Sequence, residues 1–308
     1  MSTATFFTPV QAGIHLVEER MRAQADLDSH PDLRAALEQL LEAGGKRVRP
    51  TIVLLAGNML GADQDKLVTL GAALEMLHTA TLVHDDLIDS ALLRRGMATL
   101  NSKWSPAATV LTGDFLFARA ARLASEIDNL RLMQRFAETL AIIVNGELTQ
   151  LFTARGLISR QNYYTRIYAK TASLFEMSGL SAGMVSTDDE AVQNALKTYG
   201  YETGMAFQIV DDVLDFSGEP QIVGKPLGSD LLQGLVTLPA IYYAETHPDD
   251  PDVEALRQGN WQDEVKVTDY DKFIKLLKDS GESGKALKTS VRMPDGSVKQ
   301  IEGSLKKK

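Results

Sequence analysis

The stretch LVTLGAALEMLHTATLVHDDLID, residues 67–89, is apolar for most of its length and then closes on three aspartates in five positions. Apolar residues recur at spacings of three and four and reach most faces, which predicts a helix buried inside a large bundle. Asp85, Asp86 and Asp89 sit among Leu82, Val83, Leu87 and Ile88. Carboxylates this close repel one another, and an acidic cluster in an apolar setting needs cations or partners to compensate it.

The pattern returns as DDVLD, residues 211–215, after FQIV. Both copies place aspartates at i, i+1 and i+4. On a helix, i and i+4 share a face and i+1 lies about 100° around it. That spacing suits hard divalent cations; Mg²⁺ usually takes one or two carboxylates and completes its shell with water and substrate phosphate. A single copy reads equally well as a helix N-terminal turn or a solvated face. Two copies embedded in apolar helix do not.

Cations that could answer these carboxylates stand in GGKRVRP (Lys46, Arg47, Arg49), RRG (Arg94, Arg95), YAKTAS (Lys170, beside Thr171) and GKPLGSD (Lys225). Arginine forks match phosphate oxygens and lysine supplies a point charge. Taken singly each is an ordinary surface residue; together they predict a metal-bridged diphosphate and a second diphosphate held by basic residues. His78 and His84 lie on the helix that leads into Asp85. Their spacing is not that of a zinc-binding helix, and a histidine on an apolar helix is usually a satisfied core residue.

The chain has 308 residues, 44% hydrophobic and 24% charged, with a net charge of -9 and no cysteine. Disulfides and thiolate metal sites are excluded, and nucleic-acid binding is not expected. A Walker phosphate loop and GxGxxG after a strand are missing, so P-loop and Rossmann chemistry lack support. No signal peptide or transmembrane segment is recognised, and a cytoplasmic location is expected. Helical patterns run from Val10 to Ala244, which predicts an all-α fold. Residues 265–308 differ: they carry eleven Lys and Arg against six Asp and Glu. There TDYDKFIKLLKDSG predicts a short helix, and KTSVRMPDGSVKQIEG predicts a β-hairpin around Pro294-Asp295-Gly296. The expected organisation is a catalytic domain over 1–264 and an atypical basic tail over 265–308.

In order along the chain, GGKRVRP, LHTATLVHDDLIDSALLRRG, LTGDFLFARA, KTA, FQIVDDVLDF and GKPLGSDLLQGLVTLP resemble the motifs of the trans-type polyprenyl diphosphate synthases, over about residues 10 to 245. The resemblance implies the all-α isoprenoid synthase bundle with a central active-site cavity. It also implies head-to-tail condensation of isopentenyl diphosphate with an allylic diphosphate. By it, Asp85, Asp89 and Asp211 hold three Mg²⁺, and Asp86, Asp212 and Asp215 support them. Arg94, Lys170 and Lys225 grip the allylic diphosphate; Lys46, Arg47, His78 and Arg95 bind isopentenyl diphosphate; Thr171 and Gln208 face the developing allylic cation. A homodimer is implied as well. The family places product length on the helix before the first aspartate, where a bulky aromatic gives short products. Ala80 and Thr81 stand there, so a product beyond four isoprene units is expected, with Leu77, Ala73, Met76 or Phe117 as the next floor. Geranylgeranyl or farnesyl diphosphate is the alternative. A terpene cyclase, a head-to-head condensing enzyme and a non-catalytic synthase subunit also resemble parts of this pattern. The first two need no isopentenyl diphosphate site, and the last typically loses its aspartates. Ala98 stands where proline is common, Leu235 where many members carry lysine, and residues 265–308 do not resemble the family's closing helices.

Overall fold

The computed structural model describes residues 7–24, 31–42, 44–94, 96–152, 156–217, 228–232, 234–258, 288–292 and 298–302. The fold is all-α, as expected. The helices are α1 (Gln11–Ala23), α2 (Pro31–Glu42), α3 (Val48–Met59), α4 (Gln64–Ile88), α5 (Pro106–Ser125), α6 (Leu130–Phe152), α7 (Arg160–Ile167), α8 (Ser173–Ser186), α9 (Glu190–Ser217), α10 (Ser229–Leu232), α11 (Leu238–Thr246) and α12 (Pro251–Gln258). The chain forms two compact units: Met1–Ala141 with Ser173–Tyr201, and Ile142–Ala172 with Glu202–Lys308.

In the first unit α4 is the central helix, packed against α1, α3, α5 and α8. Asp63 caps it, its carboxylate accepting the Lys66 backbone N–H at 3.0 Å. Such a cap is worth about 1 kcal/mol. Leu67, Leu70, Ala72, Ala73, Leu74 and Leu77 are fully buried and point in several directions around the axis. By length and composition α4 could cross a membrane, but 78% of its most apolar window is buried against its neighbours, the environment of a core helix. The same unit brings α8 and α9 together at backbone distance. A Cβ added to Gly200 would lie 2.3 Å from the Phe175 carbonyl oxygen, and one on Gly179 would lie 2.1 Å from that of Leu196.

The helix over 67–89 ends where the aspartates end. Asp89 is the C-cap, and Ser90 takes a left-handed φ of 52°. The Ala91 N–H then reaches the Asp86 carbonyl (2.9 Å) and the Ser90 N–H reaches that of Leu87 (3.2 Å), a Schellman closure. Arg94 therefore does not ride on a continuing helix. It lies on a two-residue antiparallel pair, β1 (Leu93–Arg94) with β2 (Met97–Ala98), too short to leave a periodic signal.

In the second unit α7 begins at its cap Ser159 and runs into one π turn, Tyr168–Ala172, which holds Lys170 and Thr171. Single π turns in α-helices gather at functional sites. Near the chain end β3 (Lys288–Arg292) pairs antiparallel with β4 (Val298–Glu302), Lys288 opposite Glu302 and Arg292 opposite Val298. The turn between them and the short helix expected before β3 lie outside the described residues.

Gly200→Ala should lower unfolding stability by about 2–3 kcal/mol, because the new methyl meets backbone that cannot step aside. Chemical denaturation measures this; an unchanged midpoint would show that α8 and α9 do not touch there.

Candidate active site

Each aspartate motif divides its carboxylates by burial. At the end of α4, Asp86 is buried, Asp85 half-buried and Asp89 exposed. The Asp86 carboxylate accepts Nε of Arg94 at 2.7 Å. Burial pushes the Asp86 carboxyl above its ordinary range, and the Arg94 charge and hydrogen bond oppose that shift. Arg94, expected to grip a diphosphate, thus also anchors a carboxylate. Arg95 lies outside the described residues.

In the second motif, Asp211 is exposed while Asp212 and Asp215 are buried. Asp212 receives two donors: the Tyr163 hydroxyl on Oδ2 (2.6 Å) and Nε2 of Gln208 on Oδ1 (2.8 Å). Burial pushes its carboxyl up to about 6, against the pull of those two hydrogen bonds. Asp215 accepts the backbone N–H of Asp230 on Oδ2 (3.2 Å), and its own carbonyl accepts the Gly228 N–H (2.7 Å). Thr171 donates to Oε1 of Gln208 at 2.6 Å, which brings together the two residues expected to face the cation. Lys170, one residue earlier on the π turn, reaches Glu147 at 2.8 Å. Lys225 lies outside the described residues.

The basic loop before α3 treats its cations unequally. Lys46 is exposed. Arg47 is buried, with a left-handed φ of 47° that costs a non-glycine residue about 1–2 kcal/mol. Its guanidinium has three internal partners: Glu18 (3.0 Å), Glu75 (3.1 Å) and the Leu41 carbonyl (3.2 Å). A diphosphate at Arg47 would compete with two carboxylates already in place. Arg49 is the cation of GGKRVRP that the resemblance left without a role. Its guanidinium lies 4.6 Å over the Phe175 ring and its Nε is buried without a hydrogen-bond partner. Burial pulls it down to about 10, with Glu75 pulling the other way. What separates it from Arg47 is its partners, and GGKRVRP does not spell those out.

His78 lines a small cleft, about 60 Å³, together with Arg47, Glu75, Asp86 and Arg94. His84 serves packing instead. It touches the Val110 carbonyl at 3.1 Å and meets Phe117 edge-on at 5.2 Å, over a Gly113 that leaves no room for a methyl. Before Asp85, Thr81 is half-buried but Ala80 has no exposed surface. Of the two residues expected to line a tunnel, Thr81 alone has a reachable surface.

Among the described residues, no three His, Asp or Glu side chains gather closely enough to hold a metal by themselves. Mg²⁺ does not require that, since it keeps water and takes substrate phosphate. The donors fit it: hard carboxylate oxygens, half-buried at Asp85 and exposed at Asp89 and Asp211.

The family model described as polyprenyl synthetase matches residues 30–277. The chain belongs to that family. It is a prenyltransferase, and its fold is that of the isoprenyl diphosphate synthases. It is 40% identical over 252 residues to a prenyl transferase of Synechocystis sp., covering 80% of this chain and 78% of that one. Over 224 residues it is also 40% identical to the octaprenyl diphosphate synthase of Haemophilus influenzae, covering 72% and 64% of the two chains. Among solved structures, the heptaprenyl diphosphate synthase of Staphylococcus aureus is similar with a TM-score of 0.83, at 34% identity over 90% of this chain and 86% of that one. The polyprenyl synthase of Caulobacter crescentus, complexed with calcium and isoprenyl diphosphate, reaches a TM-score of 0.84 at 34% identity over 93% and 87%.

The buried Arg47–Glu75 pair makes a family-independent prediction. Arg47→Met should cost about 3–5 kcal/mol, since it strands a buried carboxylate. Arg47→Met with Glu75→Leu should recover most of that loss. Thermal or chemical unfolding of both variants checks it.

Proposed function

We propose that this prenyltransferase extends an allylic diphosphate with isopentenyl diphosphate, head to tail and with Mg²⁺, to a product beyond four isoprene units. The observation that carries this reading is the burial pattern repeated in both motifs: a first carboxylate with accessible surface beside a buried, anchored second one. Long-chain activity is also what the names of the octaprenyl and heptaprenyl relatives state for those proteins.

Asp85, Asp89 and Asp211 are the metal ligands in this reading, for three Mg²⁺ per active site. When bound, the metal neutralises the departing diphosphate. Asp86, Asp212 and Asp215 hold the ligands in place through the internal bonds described above. Arg94, Lys170 and Lys225 bind the allylic diphosphate. Arg49 joins Lys46, Arg47, His78 and Arg95 on isopentenyl diphosphate. Thr171 and Gln208 present oxygen dipoles to the allylic cation, stabilising it without adding to it. Residues 1–264 form the catalytic domain and 265–308 an appended segment. A homodimer is supported by exposed Val144, Leu148, Leu151 and Phe152, which share one face of α6 at helical spacing.

Incubation with Mg²⁺, farnesyl diphosphate and isopentenyl diphosphate should yield products beyond four units; no elongation would overturn the proposal. Thr81→Phe should shorten the product, and the same length distribution in both proteins would refute the tunnel assignment. Thr81 is the better probe than Ala80, where a phenylalanine would overpack a sealed core position.

A further inference from the structure

Tyr163 is fully buried on α7, four residues after the cap Ser159. A buried hydroxyl needs a partner, and this one donates to Asp212. Arg166 completes the surroundings: its guanidinium lies 5.7 Å over the Tyr163 ring and donates to the Val236 carbonyl at 2.6 Å. Burial and the Asp212 charge push the Tyr163 hydroxyl far above its ordinary range, so it stays a donor.

The four polar groups form one directed chain. Tyr163 O–H points at Oδ2 of Asp212, the Gln208 amide N–H at Oδ1, and Thr171 O–H at the Gln208 carbonyl. The direction is forced from the Asp212 end. A carboxylate accepts only, so the atom Gln208 turns toward it must be nitrogen, and its carbonyl oxygen must face the other way, toward Thr171. If the Tyr163 hydroxyl is removed, the buried Oδ2 loses the donor that holds it. Asp212 can then turn about its side-chain torsions, and the Gln208 amide, whose nitrogen must still face the carboxylate, shifts with it.

We propose that Tyr163 is a positioning residue: by occupying Oδ2 of Asp212 it fixes that carboxylate and, through it, the amide of Gln208 and the hydroxyl of Thr171. The metal-facing motif and the cation-facing pair are thereby one hydrogen-bonded unit, built on α7, the π turn and α9. This inference rests on the proposed function for what Asp212 and Gln208 face, but the chain of bonds stands without it.

The test is calorimetric binding of Mg²⁺ with inorganic pyrophosphate, a ligand with no allylic carbon. Gln208 can affect it only through Asp212. Tyr163→Phe should weaken binding about 3–10-fold, and Gln208→Leu should do the same even if Tyr163→Phe fails to fold. The double variant should be no worse than the weaker single one, because both break the same chain. The proposal is overturned if the single variants bind within twofold of the parent protein, or if the losses in the double variant multiply. An elongation assay on the parent protein runs alongside. Absent elongation there would sink the proposed function, whereas normal elongation with unaffected variants would sink only the role of Tyr163.

Discussion

A carboxylate buried in an apolar helix bundle is expensive unless its oxygens are hydrogen-bonded, and this protein buries one at the same place in both of its aspartate motifs. The bare desolvation cost of such an ion is several kcal/mol. Asp86 offsets it with Arg94, and Asp212 with Tyr163 and Gln208. Compensation is incomplete in both, since burial still holds each carboxyl above its ordinary range. Their outward neighbours are held at fixed angles by the same helices. The crowding that looks like a fault in the sequence is therefore a division by burial: Asp86, Asp212 and Asp215 are buried and anchored, while Asp89 and Asp211 are exposed.

The helices were legible because their cause is periodic. The apolar spacing over 67–89 reports α4, and the alternating pattern after residue 287 reports the β3–β4 pairing. Features set by a single residue's backbone were not legible. Ser90 closes α4 with a left-handed φ, a position where glycine would have announced the stop. Arg47 adopts the same region at the start of α3 and is held there by two glutamates from distant positions, Glu18 and Glu75. The π turn at Tyr168–Ala172 leaves no mark in YAKTA.

The candidate site was legible as a list of residue types and illegible as an allocation of roles. HDDLID says that three carboxylates share two turns of helix; it does not say which one is buried. GGKRVRP offers three cations, and only packing shows that Arg47 spends its guanidinium on carboxylates while Arg49 keeps an unpaired Nε. Tyr163 had no signal at all, since a tyrosine in QNYYTRIY reads as ordinary core until its hydroxyl is seen on Asp212. His84 was legible in kind. Adjacent to the aspartates in sequence, it packs against Phe117 and Gly113, the bland role that an apolar helix gives a histidine.

The division between outward and anchored carboxylates is tested most directly by titrating Mn²⁺, a hard cation that suits the same oxygen donors, in the presence of pyrophosphate. Electron paramagnetic resonance reads the unbound ion. Asp89→Asn and Asp211→Asn should lose at least ten times more Mn²⁺ affinity than Asp86→Asn and Asp212→Asn. Equal losses, or larger losses from the buried pair, would contradict the account.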